Sequence, residues 1–270
     1  MRELNVAVVQ MMPELSKMED NISKMSEMIS RIATEQPVDV IVFPELSVTG
    51  YEGGARFSQM AQRVPGAVTN ILGQRATEFG VYLLIGMAVK EDVETVLYNG
   101  AVLIAPDGEV AGEYRKIHLP AEERLVFRPG YRIKPIETEL GILGVMTGWD
   151  LAFPEMARSL MLSGAEVILL PAAWQTQDAD MWRTLLVARA YENDIYIAAA
   201  NRIGEEPSYM FAGQSAILAP SGEVLAALEE PEEGYVVVRL DLDEVRHRRE
   251  DSQVMLARQP SSYRPIVRKY

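Results

Sequence analysis

Apolar runs of strand length alternate with amphipathic stretches along most of this chain. Leu4 to Gln10 reads as a strand, Lys17 to Ala33 as a helix with one apolar face, and Val38 to Phe43 as a second strand, which is a β-α-β opening. Helical periodicity returns from Val68 to Phe79 and a strand follows at Tyr82 to Val89. A hairpin then pairs Thr95 to Ala105 with Glu109 to Arg115 around Pro106-Asp107-Gly108. The second half has the same style without repeating the sequence. It predicts strands at Ile142 to Met146, Val167 to Leu170 and Tyr196 to Asn201, with helices after Pro154 and from Ala179 to Asn193 between them. Another hairpin joins Ser215 to Ala219 with Glu223 to Leu228 around Pro220-Ser221-Gly222, then a strand at Tyr235 to Asp241 leads into a short helix at Leu242 to Glu250.

No low-complexity linker separates the halves, so one domain over residues 1–252 is expected, followed by a basic, proline-containing tail from Gln253 that could pack on a partner subunit. Strands covered by helices on one face need cover on the other as well. Two sheets packed face to face with helices outside satisfy both halves; a single open doubly wound sheet is the alternative architecture. The methionines between Met11 and Met28 fall at helical spacing and read as core or interface packing rather than a binding surface.

Composition narrows the chemistry by exclusion. A net charge of -13 opposes non-specific binding to nucleic acid or to an anionic membrane surface, both of which carry the same sign. No apolar run reaches the roughly 20 residues of a membrane span, and the opening Met1-Arg2-Glu3-Leu4 lacks a secretory n-region, so the cytoplasm is the expected location. With 0 cysteines there is no disulfide, thiolate metal site or cysteine nucleophile, and His118 and His247 alone do not make a histidine-rich zinc site. The segment Gly213-Gln214-Ser215-Ala216-Ile217 fails the serine-hydrolase elbow at its last position.

Three strand ends carry special residues directly after an apolar run, where α/β sheets place their sites. In Val40-Ile41-Val42-Phe43-Pro44-Glu45 the carboxylate falls at the rim of the core, where burial raises a carboxyl pKa toward that of a general base; its bland alternative is support of the turn at Ser47 to Gly50. In Tyr114-Arg115-Lys116-Ile117-His118-Leu119-Pro120 the Lys116 ammonium is placed to project into the same rim and stabilise an oxyanion, although strand-end lysines are commonly solvated. His118, beside Ile117 and Leu119, reads as structural, and Glu122 and Glu123 follow in the loop. Val145-Met146-Thr147-Gly148-Trp149-Asp150 leads through a sharp turn into a helix with Pro154 in its first turn, yet the tip is a glycine with no reactive atom.

These segments in this order resemble the nitrilase, or carbon-nitrogen hydrolase, superfamily. The likeness extends through Phe43-Pro44-Glu45 with Thr49-Gly50-Tyr51, Arg115-Lys116-Ile117-His118-Leu119, Phe127-Arg128-Pro129-Gly130 and Asp150 to Glu155. It continues through Ala188 to Asn193, Ala200-Asn201-Arg202 and Gly213-Gln214-Ser215. The resemblance implies an α/β fold, a four-layer α-β-β-α sandwich, commonly self-associated as a homodimer or higher oligomer. It implies a Glu-Lys-Cys triad in which Glu45 is the general base, Lys116 the oxyanion-stabilising cation and Glu123 a second glutamate, with Glu122 the less suitable occupant of that last role. Gly148 holds the position of the family cysteine, and the Trp149 backbone N–H would complete the oxyanion hole. The implied substrate is a small amide or nitrile, with ω-amides and N-carbamoyl compounds also open and amides first. No metal or organic cofactor is implied. Trp174 and Tyr51 are candidate substrate contacts, and Trp149, Trp174 and Trp182 together could wall an apolar pocket. The glycine is compatible with a deliberate Cys→Gly change or with natural loss in a non-catalytic ligand- or partner-binding protein. The intact Glu45, Lys116 and Glu123 favour the first.

Overall fold

The fold is taken from a computed structural model that describes residues 2–91, 96–120 and 122–268. Strand β1 (Glu3–Gln10) shows how the layers arise from alternation. Leu4, Val6 and Val8 point to one side and meet the second sheet, while Ala7 and Val9 point to the other and meet Met25, Ile29 and Ile32 of helix α1 (Met18–Glu35). With β2 (Val40–Val42), β3 (Tyr82–Lys90), β4 (Leu97–Ile104), β5 (Val110–Arg115) and the late strand β14 (Gly234–Asp241), this sheet has the order β14-β1-β2-β3-β4-β5. The β1, β2 and β3 neighbours are parallel, and the two edges are antiparallel.

The second sheet comprises β6 (Ile136–Thr138), β7 (Gly141–Val145), β8 (Val167–Ala172), β9 (Tyr196–Asn201), β12 (Ala216–Leu218) and β13 (Val224–Ala227) in the order β13-β12-β9-β8-β7-β6. Between them in sequence, β10 (Ile203–Glu206) and β11 (Tyr209–Ala212) form a separate hairpin. Helix α2 (Phe57–Met60) is one turn long, and α3 (Ala67–Phe79) lies with α1 over the first sheet. Helices α4 (Pro154–Leu162) and α5 (Ala179–Asn193) cover the second sheet with Met156, Leu160, Trp182, Leu186 and Ala190. The two inner sheet faces share one apolar cluster, so the order of layers is helix, sheet, sheet, helix. The open doubly wound alternative is therefore excluded: the strands form two separate six-stranded sheets, and the inner face of each meets the other sheet rather than a helix layer.

Boundaries differ in instructive ways. The Val38 to Phe43 run supplies only Val40–Val42 as strand; Phe43 N still donates to Leu84 O at 2.9 Å, and its side chain packs in the cluster under α1 and α3. Thr95, the first residue of the expected hairpin, lies outside the described residues, and the pair itself runs Leu97–Ile104 with Val110–Arg115. After β14 comes helix α6 (Leu242–Asp251), and the tail contains a short helix, α7 (Gln253–Leu256), and a 3-10 segment at Pro260–Val267, with Val254, Leu256, Ile266 and Val267 exposed. Met11, Met25 and Met28 are buried in the core and Met18 packs against it, as packing residues, whereas Met12 is exposed. No helix among the described residues is long and apolar enough to cross a membrane.

Candidate active site

Glu45 leaves the end of β2 and crosses over β3 at Gly86. A Cβ on Gly86 would stand 2.3 Å from the Pro44 carbonyl oxygen and 2.6 Å from Glu45 Cα, so glycine there is what lets the backbone of Glu45 lie against the strand. The following amide of Ser47 donates to the Gly86 carbonyl at 2.9 Å and fixes the approach. Lys116 follows the last residue of β5; its N–H donates to Asn99 O at 2.8 Å and its carbonyl accepts from Gly130 N at 2.8 Å. Glu123 opens a 3-10 turn, Glu123–Leu125, and turns inward while Glu122 stays exposed.

These three side chains converge and are buried. Lys116 Nζ donates to Glu45 Oε1 and to Glu123 Oε1, both at 2.6 Å. Asn99 Nδ2 joins the same two acids, at 2.7 Å to Glu45 Oε1 and 3.0 Å to Glu123 Oε2, and Tyr51 Oη donates to Glu123 Oε1 at 2.7 Å. Burial is the main influence on Glu45 and raises its pKa; the Lys116 ammonium opposes that and the Glu123 carboxylate adds to it, leaving Glu45 pushed up to about 7. Burial works against the charge on Lys116, but the two carboxylates outweigh it and hold the lysine above its ordinary value. Tyr51 is pushed well up, first by burial and then by Glu123, so it remains a donor.

The turn after β7 brings Gly148 to this cluster. Its φ is +50°, in the left-handed region, and a Cβ built on it would lie 2.1 Å from Glu45 Oε2. The position thus aims a side chain directly at the Glu45 carboxylate, and without one the carboxylate fills the space. Asp150 pins this elbow. Its Oδ2 accepts from Thr147 N at 3.1 Å and from Tyr114 Oη at 2.7 Å, and its Oδ1 accepts from His118 N at 2.9 Å with His118 Nδ1 at 2.8 Å. His118 is stacked on Phe153 with ring centroids 3.6 Å apart, so it acts as a clamp for the elbow, as its apolar neighbours suggested. The Gly148 carbonyl accepts from Trp174 Nε1 at 3.1 Å. Gly148–Ala152 is a 3-10 turn, and the Trp149 amide stands at its start, where the helical ladder offers no acceptor.

A cavity of about 490 Å³ opens above the cluster, within the usual size of a small-molecule site. Glu45 and Lys116 form its floor, Tyr51, Trp149 and Trp174 its walls, and Arg124, Gln175, Gln177 and Asp178 are among the remaining lining residues. Trp182 is not a wall. It is fully buried behind Trp174, with centroids 5.6 Å apart and Nε1 donating to Gln214 O at 2.9 Å, which corrects the three-tryptophan pocket to two. Among the described residues no group of three or more His, Asp or Glu is arranged to hold a metal ion.

Two contributors were not singled out from sequence as candidate site residues. Asn99 is the polar residue inside the otherwise apolar run of β4, and a buried amide in such a run signals specific partners. The other is the buried Arg202–Glu206 pair. Glu206 accepts from Tyr51 N at 2.9 Å and from Glu52 N at 2.6 Å, and Arg202 lies over the Phe211 ring, so β10 and β11 hold the loop that carries Tyr51.

Comparison with known proteins identifies the family and the fold. Residues 5–250 match the sequence profile of the carbon-nitrogen hydrolase family. The chain belongs to the carbon-nitrogen hydrolase family. It is 35% identical over 267 residues to a probable nitrilase of Schizosaccharomyces pombe, covering 97% of this chain and 98% of that one. Among solved structures, a carbon-nitrogen hydrolase from Helicobacter pylori G27 superposes with a TM-score of 0.92 at 25% identity over 99% of both chains. A mutant amidase from Nesterenkonia sp. AN1 has a TM-score of 0.85 and 28% identity over 97% of this chain and 96% of that one. In it the acetamide moiety of fluoroacetamide is covalently added at the active site cysteine. The family comprises hydrolases of C–N bonds, amidases and nitrilases among them. This member of the carbon-nitrogen hydrolase family contains no cysteine.

Proposed function

We propose that the cavity is an amidase-type site for a small non-peptide amide, and that the chain as it stands binds such a compound without forming a covalent intermediate. One observation supports this above the others. A positive-φ glycine points its missing Cβ at Glu45 Oε2, 2.1 Å away, while the same glutamate is held 2.6 Å from Lys116 Nζ. Base, cation and elbow are assembled around a place for a nucleophile that glycine does not fill.

In this reading a sulfur at position 148 gives its proton to Glu45 and attacks the amide carbon. Lys116 Nζ and the Trp149 amide hold the oxyanion, Glu45 returns the proton to the leaving nitrogen, and water then hydrolyses the acyl thioester. Glu123 keeps Lys116 charged and in place. Tyr51 and Trp174 shape the substrate end of the cavity. The substituent a small amide carries fits against the Trp149 and Trp174 rings, whose centroids are 5.4 Å apart. Amides rank before nitriles and N-carbamoyl compounds because the Nesterenkonia neighbour is an amidase that takes up an amide-derived group.

The test is to assay Gly148→Cys against a panel of aliphatic amides, ω-amides, nitriles and N-carbamoyl compounds. Ammonia release from amides, absent in the parent chain, is the expected result. A folded variant inert across the panel sinks the reading and leaves the binding-protein alternative, which isothermal titration of the parent chain with the same amides would then examine.

A further inference from the structure

The oxygen of Glu45 that faces Gly148 carries no hydrogen bond. Both donors that reach this carboxylate, Lys116 Nζ at 2.6 Å and Asn99 Nδ2 at 2.7 Å, bond to Oε1, and among the described residues none reaches Oε2. Oε2 is nevertheless not sealed in. It differs in this from the buried, partnerless oxygens of Asn99 and Thr147 beside it, and Glu45 lines the floor of the cavity. It stands 2.1 Å from the place where a side chain at 148 would begin, so the glutamate's own oxygen holds the space in front of the elbow. We propose that Glu45 Oε2 is itself a nucleophile, and that the unaltered chain cleaves activated esters of small carboxylic acids by acyl transfer to this carboxylate. The proposal rests on the reading of the cavity as a site for small acyl groups and gives it a second class of substrate.

The Oε2 lone pair forms a C–O bond at the ester carbon, and the carbonyl π pair moves onto its oxygen. Two donors are at hand for that oxyanion. Lys116 Nζ has three N–H groups and uses two, on Glu45 Oε1 and Glu123 Oε1, and the Trp149 amide stands at the start of its 3-10 turn. The pair then returns, the bond to the leaving oxygen breaks, and an aryloxide departs with its electrons, leaving a mixed anhydride on Glu45. Water adds to the acyl carbon, gives its proton to solvent and expels the Glu45 carboxylate. Ester and water become carboxylic acid and phenol, the carboxylate is regenerated, and nothing is oxidised or reduced.

Leaving-group basicity decides which substrates go forward. The tetrahedral adduct expels the weaker base of its two candidates, and Glu45, pushed up to about 7 by burial, is a stronger base than an ordinary carboxylate. An amide nitrogen is a far stronger base still, so an amide adduct returns Glu45 and the chain leaves amides intact. An aryl oxygen made acidic by a nitro group is a weak enough base to compete. The same raised basicity makes Oε2 a better nucleophile than the carboxylate of an exposed glutamate. Size decides for short acyl chains, because acyl and aryl groups share a cavity of about 490 Å³. The Trp149 and Trp174 rings, with centroids 5.4 Å apart, give the aryl part flat apolar walls.

The experiment follows 4-nitrophenol release from 4-nitrophenyl acetate by an excess of the full chain, from about pH 5 to 9, in H2O and in D2O, with heat-denatured protein as the blank. The expected release rises as Glu45 ionises at about 7 and then levels off. Its plateau rate is the same in both solvents, because no proton moves in the acylation step, and is lower by roughly 10² or more in Glu45→Gln. Circular dichroism separates loss of the nucleophile from loss of the fold; should Glu45→Gln not fold, the pH profile and the solvent comparison on the parent chain decide. A plateau that is slower in D2O overturns the proposal in favour of water attacking with Glu45 as its base. Release that a folded Glu45→Gln chain retains overturns it as well. If the parent chain is inert to the ester while Gly148→Cys hydrolyses propionamide, the proposal falls and the amide reading stands. Glu45-dependent release beside an inert Gly148→Cys chain keeps the proposal and removes the amide reading.

Discussion

Adding a single methyl group at position 148 probes the elbow without adding chemistry. Gly148→Ala places a Cβ at φ +50°, a conformation that costs a non-glycine residue about 1–2 kcal/mol. That Cβ also meets Glu45 Oε2 at 2.1 Å, where ordinary contact begins at 3.4 Å, so the carboxylate must withdraw by 3.4 − 2.1 = 1.3 Å. Its other oxygen is tied to Lys116 and Asn99, and disturbing hydrogen bonds to a charged group costs a further 1.5–3 kcal/mol or so. The sum, about 2.5–5 kcal/mol, corresponds to a fall in Tm of roughly 5–20 °C for a domain of this size. Gly80→Ala is the internal reference, because Gly80 also has a positive φ, +66°, but its Cβ would meet nothing within 4 Å. It should lose only the backbone share, about 1–2 kcal/mol. Thermal unfolding followed by circular dichroism compares the two. Equal losses would refute the claim that the position points at Glu45, and a Gly148→Ala chain as stable as the parent would refute the strained elbow as well.

Three further substitutions test the surroundings. Glu45 ionises at about 7 in the fold against 4.5 for an unperturbed glutamate, so the folded chain binds that proton more tightly. Its share of stability is full below pH 4.5 and is lost as pH rises through 7, about 3 kcal/mol in all. Urea unfolding of Glu45→Gln should show a flatter profile over that range, and profiles parallel to the parent's would contradict the assignment. Asp150→Ala strips acceptors from Thr147 N, His118 N and Tyr114 Oη and should cost about 3 kcal/mol or more in urea unfolding; a loss below about 1 kcal/mol would mean the elbow is not pinned there. Glu206→Ala leaves the Arg202 guanidinium buried without its counter-charge, with an expected loss of about 3–5 kcal/mol, and a small change in Tm would argue against that pair as the support of the Tyr51 loop.

Much of this was legible in the chain because the informative residues break a pattern. Glu45 follows four apolar residues and a proline, and Lys116 falls at a strand end ahead of a loop stopped by Pro120, so both stood out where a sheet presents its site. The layers followed from β1, whose alternation needs two apolar partners. Glu123 was separable from Glu122 only through the family likeness; spacing alone left a pair of loop acids, and the 3-10 turn that turns one inward has no signature in sequence. Strands Ile136–Thr138, Ile203–Glu206 and Tyr209–Ala212 were not expected, since they are short and lack clean alternation, and pairing partners rather than intrinsic preference define them. Trp182 and Trp174 look alike in sequence, yet Trp182 on α5 is core, while Trp174, just past the end of β8, stands in front of it as a pocket wall.

The most direct test of the central claim is the rate of ammonia release from a small aliphatic amide by Gly148→Cys, measured beside the parent chain and the double variant Gly148→Cys/Glu45→Gln. The account predicts turnover in the first, none in the parent, and a loss of roughly 10²–10⁴ in the double variant. A folded Gly148→Cys chain that releases no ammonia, or one whose rate is indifferent to Glu45, would contradict it.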